Sequence, residues 1–312
     1  IGKLTIEQFF AGLYAHTDLK ADPMSAGRQM GGHFATHSLN EDGSWKNLTQ
    51  QKNSSADISP TAGQMPRLLG LAQASKIFRN VNGIENKTNF SINGNEVAWG
   101  TIGNASTSEG LFWETINAAG VLQVPMVMSV WDDEYGISVH AKYQTTKENI
   151  SEILKGFQRT EEEDGYEIIR VKGWDYPELI EVYNRASKIA REEHVPVLIH
   201  VQQLTQPQGH STSGSHERYK SKDRLEWEAK FDCNLKMREW MIASDIATDE
   251  ELSEIEKEIK KKVRDGKKAA WEAFVAPQKK EQQEAVVLLG NLAESSPNKN
   301  FIEKIKNELA SE

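Results

Sequence analysis

Cysteine is almost absent from this chain of 312 residues, which contains only Cys233. A single cysteine excludes an intrachain disulfide framework and is typical of proteins from a reducing compartment. No run approaches the roughly 18 consecutive apolar residues that a membrane-spanning helix needs. No signal-peptide pattern is present either, although the first residue is Ile1 rather than Met. We therefore expect a cytoplasmic protein that has no membrane partner.

Positive charge is also scarce, since 37 Lys and Arg stand against 46 Asp and Glu, for a formal net charge of −9. Binding the phosphate backbone of a nucleic acid usually needs a basic face, and no cluster of basic residues interleaved with aromatic residues occurs. The sequence therefore argues against a nucleic-acid partner. Apolar residues make up 38% of the chain, which is enough at this length to build a sizeable core.

Two segments of the chain repeat the order strand, helix, strand. In the first, the strand-like runs EVAWGTI and VPMVMSVW flank the helical stretch GLFWETINAAGVLQ. In the second, YEIIRVKGW and VPVLIHVQ flank DYPELIEVYNRASKIAREEH. Apolar strands joined by helices are typical of buried parallel sheets. The sequence therefore predicts an α/β fold with a doubly wound, mostly parallel sheet flanked by helices in residues 1–275. Residues 276–312 are predicted to form a linker and a helical tail.

Polar turns follow both strands of the first segment, GNASTSEG at 103–110 and WDDEYGIS at 131–138. Neighbouring parallel strands end at one edge of the sheet, roughly 5–10 Å apart, and ligands of such folds bind at that edge. The first turn has two interpretations, which the sequence leaves open. Ser106 and Glu109 fit a helix capping box, whereas the N–H groups at a helix N-terminus also suit a phosphate.

The second turn favours a ligand over a simple cap. Asn104 and either Asp132 or Asp133 are expected to lie close enough to share one cation. Side-chain and backbone oxygens suit Mg²⁺, which commonly also takes phosphate oxygens of a bound substrate or cofactor. A diphosphate bridged to Mg²⁺ is therefore the expected ligand.

The segment from Gly103 to Ser138 is similar to the thiamine diphosphate signature, which is written GDG and, further along the chain, NN. Three other motifs stand in the order found in α subunits of the decarboxylating component of 2-oxo acid dehydrogenase complexes. They are GRQMGGHF at 27–34, SPTAGQMP at 59–66 and GHSTSGSHERYKS at 209–221. The chain therefore resembles such an α subunit, or the α-like half of a fused α–β chain, over roughly residues 10–275. Branched-chain 2-oxo acid (2-oxoisovalerate) dehydrogenases look most similar.

The resemblance implies thiamine diphosphate and Mg²⁺ as cofactors. It implies that Mg²⁺ binds the side chains of Asn104 and Asp133 and the backbone carbonyl of Tyr135. The cofactor-binding residues that it implies are Ser59, Thr61, Gly103, Ala105, Ser106 and His210. His210 is also the implied catalytic residue, because an imidazole titrates near neutral pH and can assist proton transfers.

Three departures from the family pattern concern the same region. Asn104 stands where the family has an acidic ligand and Asp133 where it has an amide, so the exchange keeps one carboxylate and one amide around the metal. Trp131 replaces an Arg that reaches the diphosphate in branched-chain relatives, so another cation has to supply that charge. Gly63 replaces a Thr associated with K⁺ in relatives, so the sequence leaves the presence of a K⁺ site open.

The function implied by the resemblance is oxidative decarboxylation of a 2-oxo acid, with transfer of the acyl group to the lipoyl domain of the acyltransferase component. A branched-chain substrate is favoured. A β subunit or a fused β half is the implied partner, and the tail after Pro277 resembles the bridge of fused chains. Two alternatives stay open: a pyruvate- or acetoin-type member of the same family, and a non-catalytic scaffold that has lost its metal through Asn104.

Overall fold

The computed structural model describes residues 4–28, 35–55, 58–210 and 216–311. The chain divides into two units, one formed by residues 35–249 and the other by the segment up to residue 34 together with the segment from residue 250 onward. Most of the motif at 27–34 and the centre of the motif at 209–221 lie outside the described residues.

The secondary structure of the described residues alternates strands with helices in its central part and is helical at its end. The helices are α1 (Ile6–Leu13), α2 (Met65–Asn80), α3 (Gly110–Leu122), α4 (Ile150–Ile153), α5 (Tyr176–Glu193), α6 (Lys222–Lys230), α7 (Cys233–Ala243), α8 (Asp249–Ser295) and α9 (Lys299–Ser311). The strands are β1 (Ala98–Gly103), β2 (Met126–Trp131), β3 (Tyr135–Gly136), β4 (Val139–His140), β5 (Glu167–Lys172) and β6 (Val197–Gln202).

Four of the strands form a parallel sheet in the order β1-β2-β6-β5. Helices α2 and α3 cover one face of this sheet, and α5 covers the other. The two strand–helix–strand units expected from the sequence are both present, as β1-α3-β2 and β5-α5-β6. The predicted doubly wound α/β fold is therefore confirmed.

Burial explains why the two central strands are nearly continuous apolar runs. Five of the six residues in each of β2 and β6 are buried, because helices lie against both faces there. Phe112 and Ile116 of α3 pack against Met126 and Met128 in one core cluster, whereas Val127 faces the other cluster under α5. The sheet is thus the rigid element that positions the turns at its edge.

Helix α8 differs from the sequence prediction, because it continues through Pro277 where a linker was expected. A proline inside a helix removes one backbone hydrogen bond and costs about 3 kcal/mol. Ala270 and Ala293, on either side of Pro277, are both buried, so packing on both sides of the proline offsets that cost. The expected boundary between residues 275 and 276 falls inside this helix, and the functional division at that point remains a prediction.

The unit that contains α8 also contains α1 and α9. The ring of Tyr14 lies 5.1 Å from that of Trp271 and 6.2 Å from that of Phe274, measured between centroids. Gln282 of α8 donates a hydrogen bond of 2.6 Å to the carbonyl of Leu309 in α9. In the part of the chain that is described, no helix combines the length and the apolar content that crossing a membrane would require.

The core under α3 gives a direct test of the fold. Ile116 is fully buried, whereas Val121 on the same helix is 76% exposed. Ile116→Ala should lower the free energy of unfolding by about 2–5 kcal/mol because it leaves a cavity, and the control Val121→Ala should change it by less than about 0.5 kcal/mol. Denaturant titration measures both; equal effects would contradict the packing described here.

Candidate functional site at the carboxyl ends of the first two strands

The parallel pairing of β1 with β2 brings the two polar turns together. Gly103 pairs with Trp131 at the end of the ladder, and the amide of Asn104 donates to the carbonyl of Trp131 at 3.0 Å. The turns also touch further on, because a Cβ added to Gly136 would lie 2.6 Å from the Cβ of Ala105. The structure therefore places the first and second turns face to face, as the sequence predicts.

Asn104 is the buried residue of the first turn. It is 6% exposed, and its Nδ2 atom is buried with no hydrogen-bond partner among the described residues. Its backbone carbonyl accepts from the hydroxyl of Thr107 at 2.6 Å. A buried polar atom left without a partner is costly, so the side chain of Asn104 is poised for a group that this chain does not supply.

The capping-box interpretation of Ser106 and Glu109 is wrong. Ala105–Ser108 form a short 3-10 turn, and α3 begins one residue after Glu109, which is the N-cap residue. The side chain of Glu109 makes no capping hydrogen bond to any described residue. No described side chain caps the first N–H groups of α3 at this turn, so these groups suit a phosphate, which is the other interpretation of the sequence.

The second turn contains two aspartates with different environments. The Oδ2 atom of Asp132 lies 2.9 Å from Nε2 of His200, and its Oδ1 atom accepts from the amide of Glu134 at 2.8 Å. The other ring nitrogen of His200 lies 2.8 Å from the hydroxyl of Ser151. Asp132, His200 and Ser151 are all buried. Both carboxylate oxygens of Asp132 are therefore held by the protein itself.

Asp133 is the more available carboxylate of the pair. Burial raises its pKa above the ordinary value, against the opposing effects of a hydrogen bond from the amide of Tyr135 and of the nearby Lys220 and Arg224. The hydrogen bond from Tyr135 measures 3.2 Å. Asp133 is partly buried, and a carboxylate whose pKa is raised by burial gains from a bound cation, because the cation offsets the cost of desolvating its charge. The position of the turn alone leaves Asp132 and Asp133 open, and the family resemblance names Asp133. The hydrogen bonds that hold both carboxylate oxygens of Asp132 favour the same residue.

A cluster of four charged residues stands beside this turn and was not identified from the sequence. Lys220 and Glu228 are buried, whereas the side chain of Glu134 is 44% exposed. Lys220 donates to both carboxylate oxygens of Glu228, at 2.7 and 2.9 Å. Arg224 bonds to Glu228 at 2.8 Å and also to the carboxylate of Glu134. The signal in the sequence is the spacing of Arg224 and Glu228 by four residues, which puts them on one face of α6, whereas Lys220 precedes the helix.

Ser59 and Thr61 lie in the turn before α2, and both are exposed. Leu68 of α2 lies against Gly100 in the middle of β1. Ala62 and Met65 share a core cluster with Ile102, so the beginning of α2 lies toward the carboxyl end of β1. A Cβ at Gly63 would lie 2.8 Å from Ile58 and 3.1 Å from the carbonyl of Pro60, so a Thr at this position would have to displace its neighbours.

His210 is exposed and stands at the end of a described segment. Gly209 has a φ of +69°, and a Cβ there would lie 2.9 Å from the hydroxyl of Tyr219, so only glycine fits this approach. The ring of Tyr219 in turn lies 5.8 Å from that of Tyr135. The base of the loop that carries His210 is thus linked to the second turn through Tyr219, and the role of His210 remains a prediction.

Trp131 is half-exposed, and its indole N–H donates to the hydroxyl of Ser129 at 3.0 Å. An indole provides no positive charge. Among the described residues, the cations that act on Asp133 are Lys220 and Arg224.

The donor set fits a hard divalent cation. Asn104 offers an amide, Asp133 a carboxylate and Tyr135 a peptide carbonyl, and oxygen donors of this kind suit Mg²⁺. Within the described ranges, no group of three or more His, Cys, Asp or Glu side chains is arranged as a metal site. The predicted set contains only one such side chain, so Mg²⁺ binding stays a prediction.

Comparison with known proteins identifies the family of this chain. Residues 7–279 match the sequence profile of the dehydrogenase E1 component. The chain belongs to the dehydrogenase E1 component family. The resemblance inferred from the four ordered motifs is therefore confirmed.

Relatives within the dehydrogenase E1 component family carry two kinds of name. The 2-oxoisovalerate dehydrogenase subunit alpha of Bacillus subtilis (strain 168) is 28% identical over 233 residues, covering 74% of this chain and 59% of that protein. The mitochondrial 2-oxoisovalerate dehydrogenase subunit alpha 1 of Arabidopsis thaliana is 26% identical over 302 residues, or 96% of this chain and 54% of that protein. The pyruvate dehydrogenase E1 component subunit alpha of Rickettsia bellii (strain RML369-C) is 22% identical over 171 residues, or 55% and 50%. The chain thus spans little more than half the length of these curated relatives.

The contact of Asp132 with His200 gives the next prediction. His200→Ala leaves a buried carboxylate and the Ser151 hydroxyl without their partner, and an unsatisfied buried polar group costs about 1–3 kcal/mol, more when it is charged. We expect a loss of unfolding free energy of that size in denaturant titration. His37→Ala, at an exposed position, is the control and should change stability by less than about 0.5 kcal/mol. A loss below about 1 kcal/mol for His200→Ala would mean that the contact does not hold the turn.

Proposed function

We propose that this chain binds the diphosphate of thiamine diphosphate through Mg²⁺ at the two facing turns. The observation that carries the proposal is the pair formed by Asn104 and Asp133. The Nδ2 of Asn104 is a buried N–H donor without a partner among the described residues and suits a phosphate oxygen, so its amide Oδ1 is the atom that would bind the metal. Burial raises the pKa of the Asp133 carboxyl, so a cation beside that carboxylate would be favourable. Both lie at the carboxyl edge of a parallel sheet, which is where ligands of such folds bind.

Each residue of the first turn has a definite task in this proposal. Asn104, Asp133 and the carbonyl of Tyr135 hold the metal. Ala105 and Ser106 lie in the 3-10 turn before α3, and the backbone N–H groups of this turn and of the helix N-terminus would suit the diphosphate. Gly103 leaves open space beside them, since a Cβ there would approach only Ser106 Oγ, at 3.9 Å. Ser59 and Thr61 contribute from the turn before α2.

Thiamine diphosphate, when bound, would supply the nucleophilic carbon and the electron sink that decarboxylation of a 2-oxo acid needs. His210 is proposed to give and take protons at the reacting group, since histidine is the side chain most often used for general acid–base catalysis. Gly209, next to His210, lies against the hydroxyl of Tyr219, whose ring lies 5.8 Å from that of Tyr135. These contacts support the proposal that His210 acts near the second turn.

The proposed reaction is oxidative decarboxylation of a 2-oxo acid with transfer of the acyl group to a lipoyl domain. A branched-chain substrate is favoured, because the 2-oxoisovalerate dehydrogenase relatives cover the larger shares of this chain. A pyruvate-type substrate is the second candidate, supported by the rickettsial relatives. We propose a β subunit or fused β half as the partner, because the relatives are alpha subunits. In this proposal residues 1–275 form the cofactor-binding part.

The metal assignment predicts opposite results for two substitutions. Asp133→Ala should abolish Mg²⁺-dependent binding of thiamine diphosphate, because it removes the one carboxylate of the set. Asn104→Asp should preserve or tighten binding, because a second carboxylate strengthens a hard-cation site. Calorimetric titration of the chain, together with its β partner, measures both dissociation constants.

Asp164→Ala, at an exposed position of the same unit, is the control for the loss of a carboxylate. An unchanged dissociation constant in Asp133→Ala would remove Asp133 from the site. Absence of cofactor binding in the unsubstituted chain with its partner would instead favour the non-catalytic scaffold.

The role of His210 has its own prediction. His210→Ala in the assembled enzyme should slow acyl transfer to a lipoyl domain by roughly 10²–10⁴-fold, which is the usual contribution of a general acid–base group. Cofactor affinity should change by no more than several-fold, because the diphosphate is held at the two turns. Single-turnover transfer and cofactor titration measure the two effects, with His37→Ala as control. An unchanged transfer rate would make His210 structural, and loss of cofactor binding would make it a binding residue.

A further inference from the structure

One guanidinium joins helix α6 to the proposed metal turn. Arg224 donates through Nη2 to the backbone carbonyl of Asp133 at 2.9 Å, and through Nη1 to the carboxylate of Glu134. Its Nε atom donates to Glu228 at 2.8 Å. All three nitrogens of the guanidinium therefore donate hydrogen bonds, and two of them bind the consecutive residues Asp133 and Glu134 of the second turn.

Glu228, which accepts a hydrogen bond from Nε of Arg224, is itself held in place by Lys220. Glu228 receives two hydrogen bonds from Lys220, and the side chains of both residues are almost completely buried, at 2% and 1% exposure. A buried pair of this kind is strongly destabilised when one partner is lost. The guanidinium of Arg224 also lies 4.8 Å from the ring centre of Trp227 and 5.5 Å from that of Tyr135. Arg224 is thus held in one orientation by partners on both sides.

The second turn brings several negative charges together, and Arg224 supplies a positive charge beside them. Asp132, Asp133 and Glu134 are three consecutive acidic residues beside one cation site. The protein itself holds the carboxylate of Asp132, through His200 and the amide of Glu134. Arg224 holds the carboxylate of Glu134, whereas at Asp133 it binds the peptide carbonyl rather than the side chain. The carboxylate of Asp133 is therefore the one that Arg224 leaves for a ligand.

We propose that Arg224 is a positioning residue for the second turn. Its hydrogen bond to the carbonyl of Asp133 fixes that peptide so that the carboxylate of Asp133 faces the proposed cation, and its ion pair with Glu134 keeps the carboxylate of Glu134 away from the cation. The inference rests on the proposed function, since it assumes that Asp133 binds the metal. It deepens that function by adding a residue outside the predicted ligand set. Residues that orient metal ligands typically change affinity by about 10–100-fold when substituted.

Arg224→Lys tests this role without removing the charge beside buried Glu228. A lysine cannot reproduce a planar fork that binds two groups at fixed angles, so the carbonyl of Asp133 and the carboxylate of Glu134 can no longer both be held. Arg238→Lys is the matched control. Arg238 also binds a backbone carbonyl and a carboxylate, both of Asp249, at 2.9 and 2.7 Å.

Two measurements on the whole chain are needed. Amide hydrogen exchange without cofactor reports the mobility of the turn, and calorimetric titration with thiamine diphosphate and Mg²⁺, with the β partner present, reports affinity. We expect Arg224→Lys to speed exchange at residues 133–136 about 10-fold or more and to weaken cofactor binding by about 10–100-fold. Arg238→Lys should leave both quantities unchanged, and thermal unfolding of the two variants shows whether their losses of stability are similar.

The outcomes separate this inference from the proposed function. Unchanged exchange in Arg224→Lys would overturn it, because the turn would then not depend on Arg224. Faster exchange with unchanged cofactor affinity would also overturn it, because Arg224 would then stabilise the turn without positioning a ligand. Absence of cofactor binding in the unsubstituted chain would defeat the proposed function, and the positioning role with it, whatever the exchange rates.

Discussion

The hydrogen bond from the amide of Asn104 to the carbonyl of Trp131 extends the pairing of β1 and β2 beyond the last residues of both strands. The rest of the site depends on this extension, because it brings two turns together that are separated by a whole helix in the chain. The two turns also lie close together at Gly136 and Ala105, further from the strands. The central strands β2 and β6 are buried on both faces, so the core positions the second turn, and the hydrogen bond from Asn104 holds the first turn against it.

The acidic turn shows how a fold can hold three neighbouring carboxylates and leave one available. Asp132 is satisfied by a histidine of the adjacent strand, and Glu134 by an arginine of a helix distant in sequence. Asp133 receives one amide hydrogen bond, and burial raises its pKa. Like charges held this close repel one another, so the partners of Asp132 and Glu134 are part of what makes a cation site at Asp133 feasible.

Two local patterns in the sequence predicted structure that the fold does not adopt. Ser106 and Glu109 have capping-box spacing, yet the chain enters a 3-10 turn and α3 begins at the next residue after Glu109. Pro277 is a typical helix breaker, yet α8 passes through it. In both cases a contribution of a few kcal/mol at most from local preference is smaller than what packing of the neighbouring residues provides.

The sequence by itself determined the α/β fold, the two strand–helix–strand units and the family, because hydrophobic periodicity and the order of motifs are properties of the chain alone. It also identified Asn104 and the aspartates after β2, since the ends of parallel strands must share an edge. Only the tertiary structure showed that His200 holds the carboxylate of Asp132 and revealed Arg224 beside the turn. Those two facts depend on contacts between residues about 70 and 90 positions apart, and no local pattern specifies a contact over such distances because packing of the complete core decides it.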